Sequence, residues 1–376
     1  MDEGSDGFQV EHESGLSRWG TRICCAVCGA PLLLLAGAYI LGFNERNAVC
    51  QSRAFQAASD VVKEVGCEQT GSGALVKFSC DLKKDGLEFN RFNGYDALKG
   101  ALPASFRYVG AGLRMTGEML QCVEHEESHT EKDSVGGGTT TTKRYSYSME
   151  WSSSPVDPAI FHALGSHSFR SNCGEHNQSW PAWLPQGSKT AWAEKVRVGN
   201  FAIEGELVTL FPLDKAVTDL DMGRKWRAAG PGAWAQGALL ADGKPSIGSM
   251  RITLNGTDWS QPTYTVLGHE KGGNVSSWVA PPSFMCSGFA VEAIRQGVVS
   301  TAVLFEQLQA AADLMMYLLR LIGFILIWLG FAMVASPLGV VADSIPFLGP
   351  RLGDCVDGLA CCAACAPATA CALLVA

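Results

Sequence analysis

The apolar positions of this chain gather at its two ends and alternate with polar ones between them. Ile23 to Phe43 is a run of 21 residues without a charge. Leu321 to Ser336 is likewise uncharged, and extended back to Leu314 the run is broken only by Arg320. A helix needs about 20 apolar residues to cross a bilayer, so the pattern predicts membrane spans over 23–43 and 314–336. Gly358 to Ala376 is a third uncharged stretch, rich in Ala and Cys, and predicts a further span over 355–376. Pro337, Asp343 and Pro346 interrupt the segment between, so 337–354 is expected to be a cytosolic loop or an interfacial helix. Asp343 is either a functional acid at membrane depth or the cap of a turn.

Residues 44–313 read differently. Gln51 to Val65 has helical spacing, with Phe55, Ala58, Val61, Val62 and Val65 recurring on one face. Strand signals follow. Ala74–Cys80, Arg107–Met115, Tyr145–Trp151, Lys195–Ile203, Met250–Leu254 and Thr263–Leu267 are rich in β-branched and aromatic residues, and Gly, Asn or Pro punctuates most of their ends. The alternation in Lys195–Ile203 slips once, at Gly199. The acidic stretch Glu124–Asp133 and the basic pair Lys143-Arg144 flank a glycine-rich tip, which predicts a long hairpin with opposite charges across it. Ser153–Pro185 has no period and reads as loop. The fold class expected is therefore a multi-pass membrane protein: an N-terminal span, a β-rich α+β lumenal domain and C-terminal helical spans.

The end of the domain carries one more periodic signal. Val291, Ile294, Val298, Thr301, Phe305, Leu308, Ala312 and Met315 repeat at spacings of three and four, which predicts an amphipathic helix over 289–313. Its stripe would cover the domain or the membrane surface, or pair with a second copy. In the second case Val291, Ile294, Val298, Phe305 and Leu308, with Arg320 and Asp343, would support a homo-oligomer. Arg320 lies seven residues from Asp313, on the same helix face, and its long stem suits snorkelling to the boundary.

Composition narrows the class further. Charged residues are 18% of the chain, below the roughly 25% of soluble domains. The net charge is −8 and no Lys/Arg-rich run occurs, so nucleic acid is not an expected partner; membrane lipids are. Residues 1–22 form an acidic tail expected to be disordered. A secretory signal peptide would end near Ala36-Gly37-Ala38, but the apolar run continues to Phe43, which favours an uncleaved anchor. Arg18 and Arg22 before the span put the N-terminus in the cytosol. Three sequons, beginning at Asn177, Asn255 and Asn274, all fall in the middle region, as expected of a lumenal glycoprotein. Of the 14 cysteines, Cys50, Cys67, Cys80, Cys122, Cys173 and Cys286 lie there too. In an oxidising compartment six cysteines permit up to three disulfides, with connectivity open. Those in or near the spans suit buried thiols or acylation.

One string suggests chemistry. His125-Glu126-Glu127-Ser128-His129 matches HExxH, in which two imidazoles one helical turn apart bind zinc and the Glu is general base. The segment lacks an apolar helical stripe, so His125, Glu126 and His129 stand as the alternative to a non-enzymatic protein without cofactors. A lumenal ligand- or lipid-binding module is a third possibility.

Several strings together resemble the LUMA family (transmembrane protein 43). They are Phe43-Asn44-Glu45 after the first span, Val123–Glu127 leading to Lys143-Arg144-Tyr145-Ser146-Tyr147 and Glu150-Trp151, Val196–Gly199 with Phe201, Leu319–Gly323 through Leu329-Gly330, Ser336-Pro337-Leu338, and Val341–Gly349. The resemblance implies four spans, both termini cytosolic and a large lumenal domain. It also implies residence in the endoplasmic reticulum and nuclear inner membrane, self-association, and a scaffold role toward inner nuclear membrane and lamina proteins. The chain departs in ending after three predicted spans, which leaves the C-terminus lumenal or truncated.

Overall fold

The computed structural model describes residues 8–69, 71–133, 138–162, 164, 166–173, 177–218, 220, 222–240, 243–283, 286–343 and 364–370. The two long apolar runs form two helical rods. The first comprises Gly15–Cys24, a π-helical turn Cys25–Gly29 and Ala30–Val61. Pro31 follows the π turn, and a ring nitrogen that cannot donate is a usual cause of such a defect. The second rod is Thr301–Asp343 and runs through Pro337. Pro337 withholds a donor from the Met333 carbonyl, and the Ser336 hydroxyl donates to that carbonyl at 2.9 Å instead. Both rods are long and apolar enough to cross a membrane.

Four expectations change. The helix expected from Gln51 is the far end of the first rod and stops at Val61. The span expected to end at Ser336 continues to Asp343 as helix, so 337–343 is not a loop; 344–354 lie outside the described residues. The helix over 289–313 begins only at Thr301. Ala290–Val291 and Ala293–Gln296 are strands, which place Val291 and Ile294 in a sheet, and Val298 is 77% exposed outside either element. Gly297 is the physical reason: at φ +81° it turns the chain between strand and helix. Last, the tail is partly ordered. Phe8–Glu13 pairs antiparallel with Thr139–Arg144 of the long hairpin.

Two sheets build the middle domain. In the first, the order is Phe8–Glu13, Thr139–Ser152, Gly112–Lys132, Met250–Gly256, Ala233–Gln236 and Arg227–Gly230, with Gly187–Trp192 and Lys215–Ala216 joining from the side. In the second, the order is Lys63–Glu64, Leu75–Asp81, Thr263–Lys271, Asn274–Ser276, Phe201–Glu204 and Lys195–Val198. The slip at Gly199 is a hairpin turn, at φ +62°. Alternate residues of both sheets meet in one core, where Phe78 stacks on Phe201 at 4.0 Å and Leu113, Met115, Ile252 and Tyr264 are buried. The hairpin Gly112–Lys132/Thr139–Ser152 is present and brings opposite charges across the ladder, with Glu127 opposite Arg144.

Residues 364–370 are helical, and Ala368 is buried beside Leu41 and Ile327 of the rods. The rest of the third predicted span lies outside the described residues.

Candidate functional site

The rods pack antiparallel and are clasped by polar side chains at both ends of their apolar length. At the domain end, Arg320 donates from Nε and Nη2 to the two carboxylate oxygens of Glu45, at 2.5 and 2.7 Å. One residue earlier, Asn44 donates to the Met316 carbonyl at 3.0 Å. At the other end, Arg22 donates to the Ser336 carbonyl at 2.9 Å. Arg22 and Asn44 are 22 helical steps apart, a rise of about 33 Å, close to the roughly 30 Å of a hydrocarbon core. Charge-assisted bidentate bonds are roughly twice as strong as neutral ones, and hydrocarbon supplies no competing donor. The clasps therefore fix the vertical register of the two rods.

Small residues bring the rods together between the clasps. A Cβ on Gly37 would lie 2.6 Å from Ile327 Cγ1 and 2.9 Å from the Gly323 carbonyl oxygen. A Cβ on Gly323 would lie 2.7 Å from Leu41. Close backbone approach through small residues is how helices associate in lipid.

Arg320 was legible as a lone charge in an apolar run. Its partner was not, because Glu45 stands 275 residues away; the one available signal is that Glu45 is the first acid after the first run. The predicted oligomer residues are scattered. Phe305, Leu308 and Ala312 pack toward Ala54, Phe55, Ala58 and Leu304 within this chain. Val291 lies in that same cluster, Ile294 in the core between the sheets, and Val298 is exposed. Asp343 is the last described residue of the second rod.

The HExxH string fails its helical condition. It lies in the strand Gly112–Lys132, where a four-residue spacing separates His125 and His129 by about 13 Å. His125 meets Ser148 at 2.8 Å and Glu150 at 2.9 Å across the ladder, while His129 lies 3.4 Å from Glu131. Among the described residues no three Cys, His, Asp or Glu side chains are grouped to hold a metal.

The three sequons differ in access. The Asn177 amide accepts from the Cys122 N–H at 2.6 Å and donates to the carbonyls of Cys122 and Val156, so a glycan on Nδ2 would break those bonds. Thr257 of the Asn255 sequon is buried and accepts from the Ala111 N–H. Asn274 and Ser276 are both exposed.

The disulfides expected among six cysteines are present with the connectivity now fixed, and one buried acid escaped sequence reading. The six cysteines pair as Cys50–Cys286, Cys67–Cys80 and Cys122–Cys173. Glu270, with no solvent exposure, accepts from the backbone of Gly71, Ser72, Gly73 and Gly273 and from the Ser72 hydroxyl. Burial alone would raise its pKa, but these donors prevail and hold it at about 2.

Residues 119–375 match the family described as Transmembrane protein 43. A relative, "Transmembrane protein 43 homolog" of Drosophila melanogaster, is 22% identical over 327 residues, which are 84% of this chain and 78% of that protein. No solved structure matches the chain.

Proposed function

This chain belongs to the Transmembrane protein 43 family, and from that membership we propose that it is a non-enzymatic, multi-pass membrane scaffold of the endoplasmic reticulum and nuclear inner membrane. Its domain faces the lumen, and it gathers other membrane and lamina proteins by self-association and partner binding. The clasped rods carry this reading, because they make one rigid membrane unit. Their outward positions Leu314, Leu318, Leu321 and Ile325, spaced four, three and four apart, are exposed and apolar. In a bilayer such a stripe faces either lipid or a second copy.

The tail strand sets a condition on this topology. The tail enters the first rod at its Arg22 end, whereas the domain joins the rods at Val61 and Thr301. The hairpin strand Gly112–Lys132 and the first rod each extend about 70 Å, so the hairpin tip reaches the tail beside the rods. A charged hairpin with one edge strand does not cross hydrocarbon. We infer that membrane insertion opens the Phe8–Glu13 ladder and leaves the tail on the cytosolic side.

Three disulfides support an oxidising lumen for the domain. The test is a glycan count and a native mass on protein crosslinked in cells. One glycan, lost in Asn274→Gln, together with an oligomer lost in Leu318→Ala/Leu321→Ala, supports the scaffold. An unglycosylated monomer refutes it.

A further inference from the structure

A cavity of about 410 Å³ lies between the first rod and the 280–289 loop. Cys50, Arg53, Ala54, Gln56, Ala57 and Asp60 form its helical wall. Pro281, Pro282 and Phe289 face them, and the Cys50–Cys286 disulfide pins the loop to the rod. The volume falls in the range of small-ligand sites.

Height above the bilayer indicates what this cavity meets. The uncharged run of the first rod ends at Phe43, and charged side chains sit at the hydrocarbon boundary, so the height is reckoned from the Arg320–Glu45 clasp. Arg53 follows Glu45 by eight residues, a rise of about 12 Å. Side chains on a helix lean toward its N-terminus, which on this rod is the membrane side, so the long Arg53 stem carries its guanidinium down toward the clasp. The headgroup layer adds roughly 5–8 Å to each face of the hydrocarbon, and the lowered guanidinium comes to that layer. Arg53 is exposed and makes no ion pair among the described residues. Gln56, one turn higher on the same face, is exposed, and among the described residues its side-chain amide makes no hydrogen bond. Asp60 stands about 10 Å above Arg53, too far to neutralise it.

We propose that this cavity holds the headgroup of one membrane phospholipid. Arg53 grips the phosphate, Gln56 donates to the same group or its substituent, and Pro281, Pro282 and Phe289 cover the glycerol and upper acyl chain. Arginine suits this task because its fork matches phosphate oxygens. The site rests on the rods crossing a bilayer and is independent of self-association and of which face the domain occupies.

The test uses the full chain in detergent, with native mass spectrometry reading retained lipid and phosphatidylglycerol as the added probe. One phospholipid per chain is expected. Arg53→Gln/Gln56→Ala should weaken retention about tenfold, while Arg91→Gln, remote from the cavity, changes nothing. A melting curve matching the parent's keeps the comparison fair. Equal retention in the double variant overturns the site. Glycerol 3-phosphate, which has the phosphate without acyl chains, separates the two sources: if it competes as well as the lipid, the cavity takes a free phosphate compound and the lipid assignment falls. A parent protein that is monomeric yet retains its lipid would count against the scaffold alone.

Discussion

The rod pair and the long hairpin are both antiparallel and both about 70 Å long, yet they are held together in opposite ways. The rods meet through apolar side chains, close glycines and three polar clasps. The hairpin beyond Glu124 meets through a continuous backbone ladder, with charged side chains exposed on both faces. In the rods each polar contact borders hydrocarbon, which offers no other donor on that side. In the hairpin each has a ready substitute in water. The same bond should therefore count for much in one region and for little in the other, although the hairpin has many more of them.

The sharpest break of this comparison concerns the strand that touches both regions. Val10 stands opposite Thr142. In a Val10→Cys/Thr142→Cys variant the two thiols should crosslink almost fully in detergent and hardly at all in sealed membranes, read as a mobility shift under oxidation. Crosslinking in membranes would place tail and hairpin tip on one side, and the proposed crossing would fail.

The next effect tests a clasp. Arg320→Ala leaves the Glu45 carboxylate, 16% exposed, without its partner. Arg320 is itself 33% exposed, so the cost should fall between the roughly 1 kcal/mol of a surface pair and the roughly 3–5 kcal/mol of a fully buried one. Replacing both with Met should recover most of that loss, read as rod separation by distance labels in a bilayer. A cost under about 1 kcal/mol would put this pair with surface ion pairs and erase the contrast.

The base of the hairpin should respond less. Cys122–Cys173 ties it to the short helix His167–Asn172, over Tyr147 and Phe169. Cys122→Ala/Cys173→Ala should cost about 2–4 kcal/mol and loosen the base, seen as faster amide exchange there, without moving the rods.

Glu270 tests whether a dry polar site in the domain behaves like lipid. Glu270→Gln keeps the shape but loses the charge that draws five donors, and should cost about 1–3 kcal/mol. The pH dependence has a definite sign. The folded pKa is about 2, below the ordinary 4.5, so the contribution is complete above pH 4.5 and is lost as pH falls from 4.5 toward 2. Urea midpoints across that window should fall more in the parent than in Glu270→Gln.

The contrast also explains which parts were legible. Long uncharged runs are local facts, so 23–43 and 314–336 could be read directly, and opposite charges about a glycine tip revealed the hairpin. The tail strand could not be read: all six of its residues are exposed, so no alternation betrays it. The false helix over 289–300 arose because Val291, Ile294 and Val298 are spaced three and four apart by accident, and two short strands with Gly297 after them leave that spacing intact. Glu45 with Arg320 and Glu270 with the Gly71–Gly73 backbone join residues far apart in sequence, so only the fold brings them together.

The smallest effect is expected where polar contacts are most numerous. Lys143 meets Glu11 of the tail strand at 3.1 Å, and its pKa is raised, chiefly by that hydrogen bond. Glu11 is 52% exposed, so water and salt compete for the pair. Lys143→Ala should shift the melting temperature the least of these variants, and the difference should vanish in 1 M salt. The six-residue ladder persists without the pair, because its backbone bonds do not depend on the side chain. If Lys143→Ala instead abolished the Val10–Thr142 crosslink in detergent, a single surface contact would be holding the strand, and the distinction between lipid and water as competitors would lose its basis.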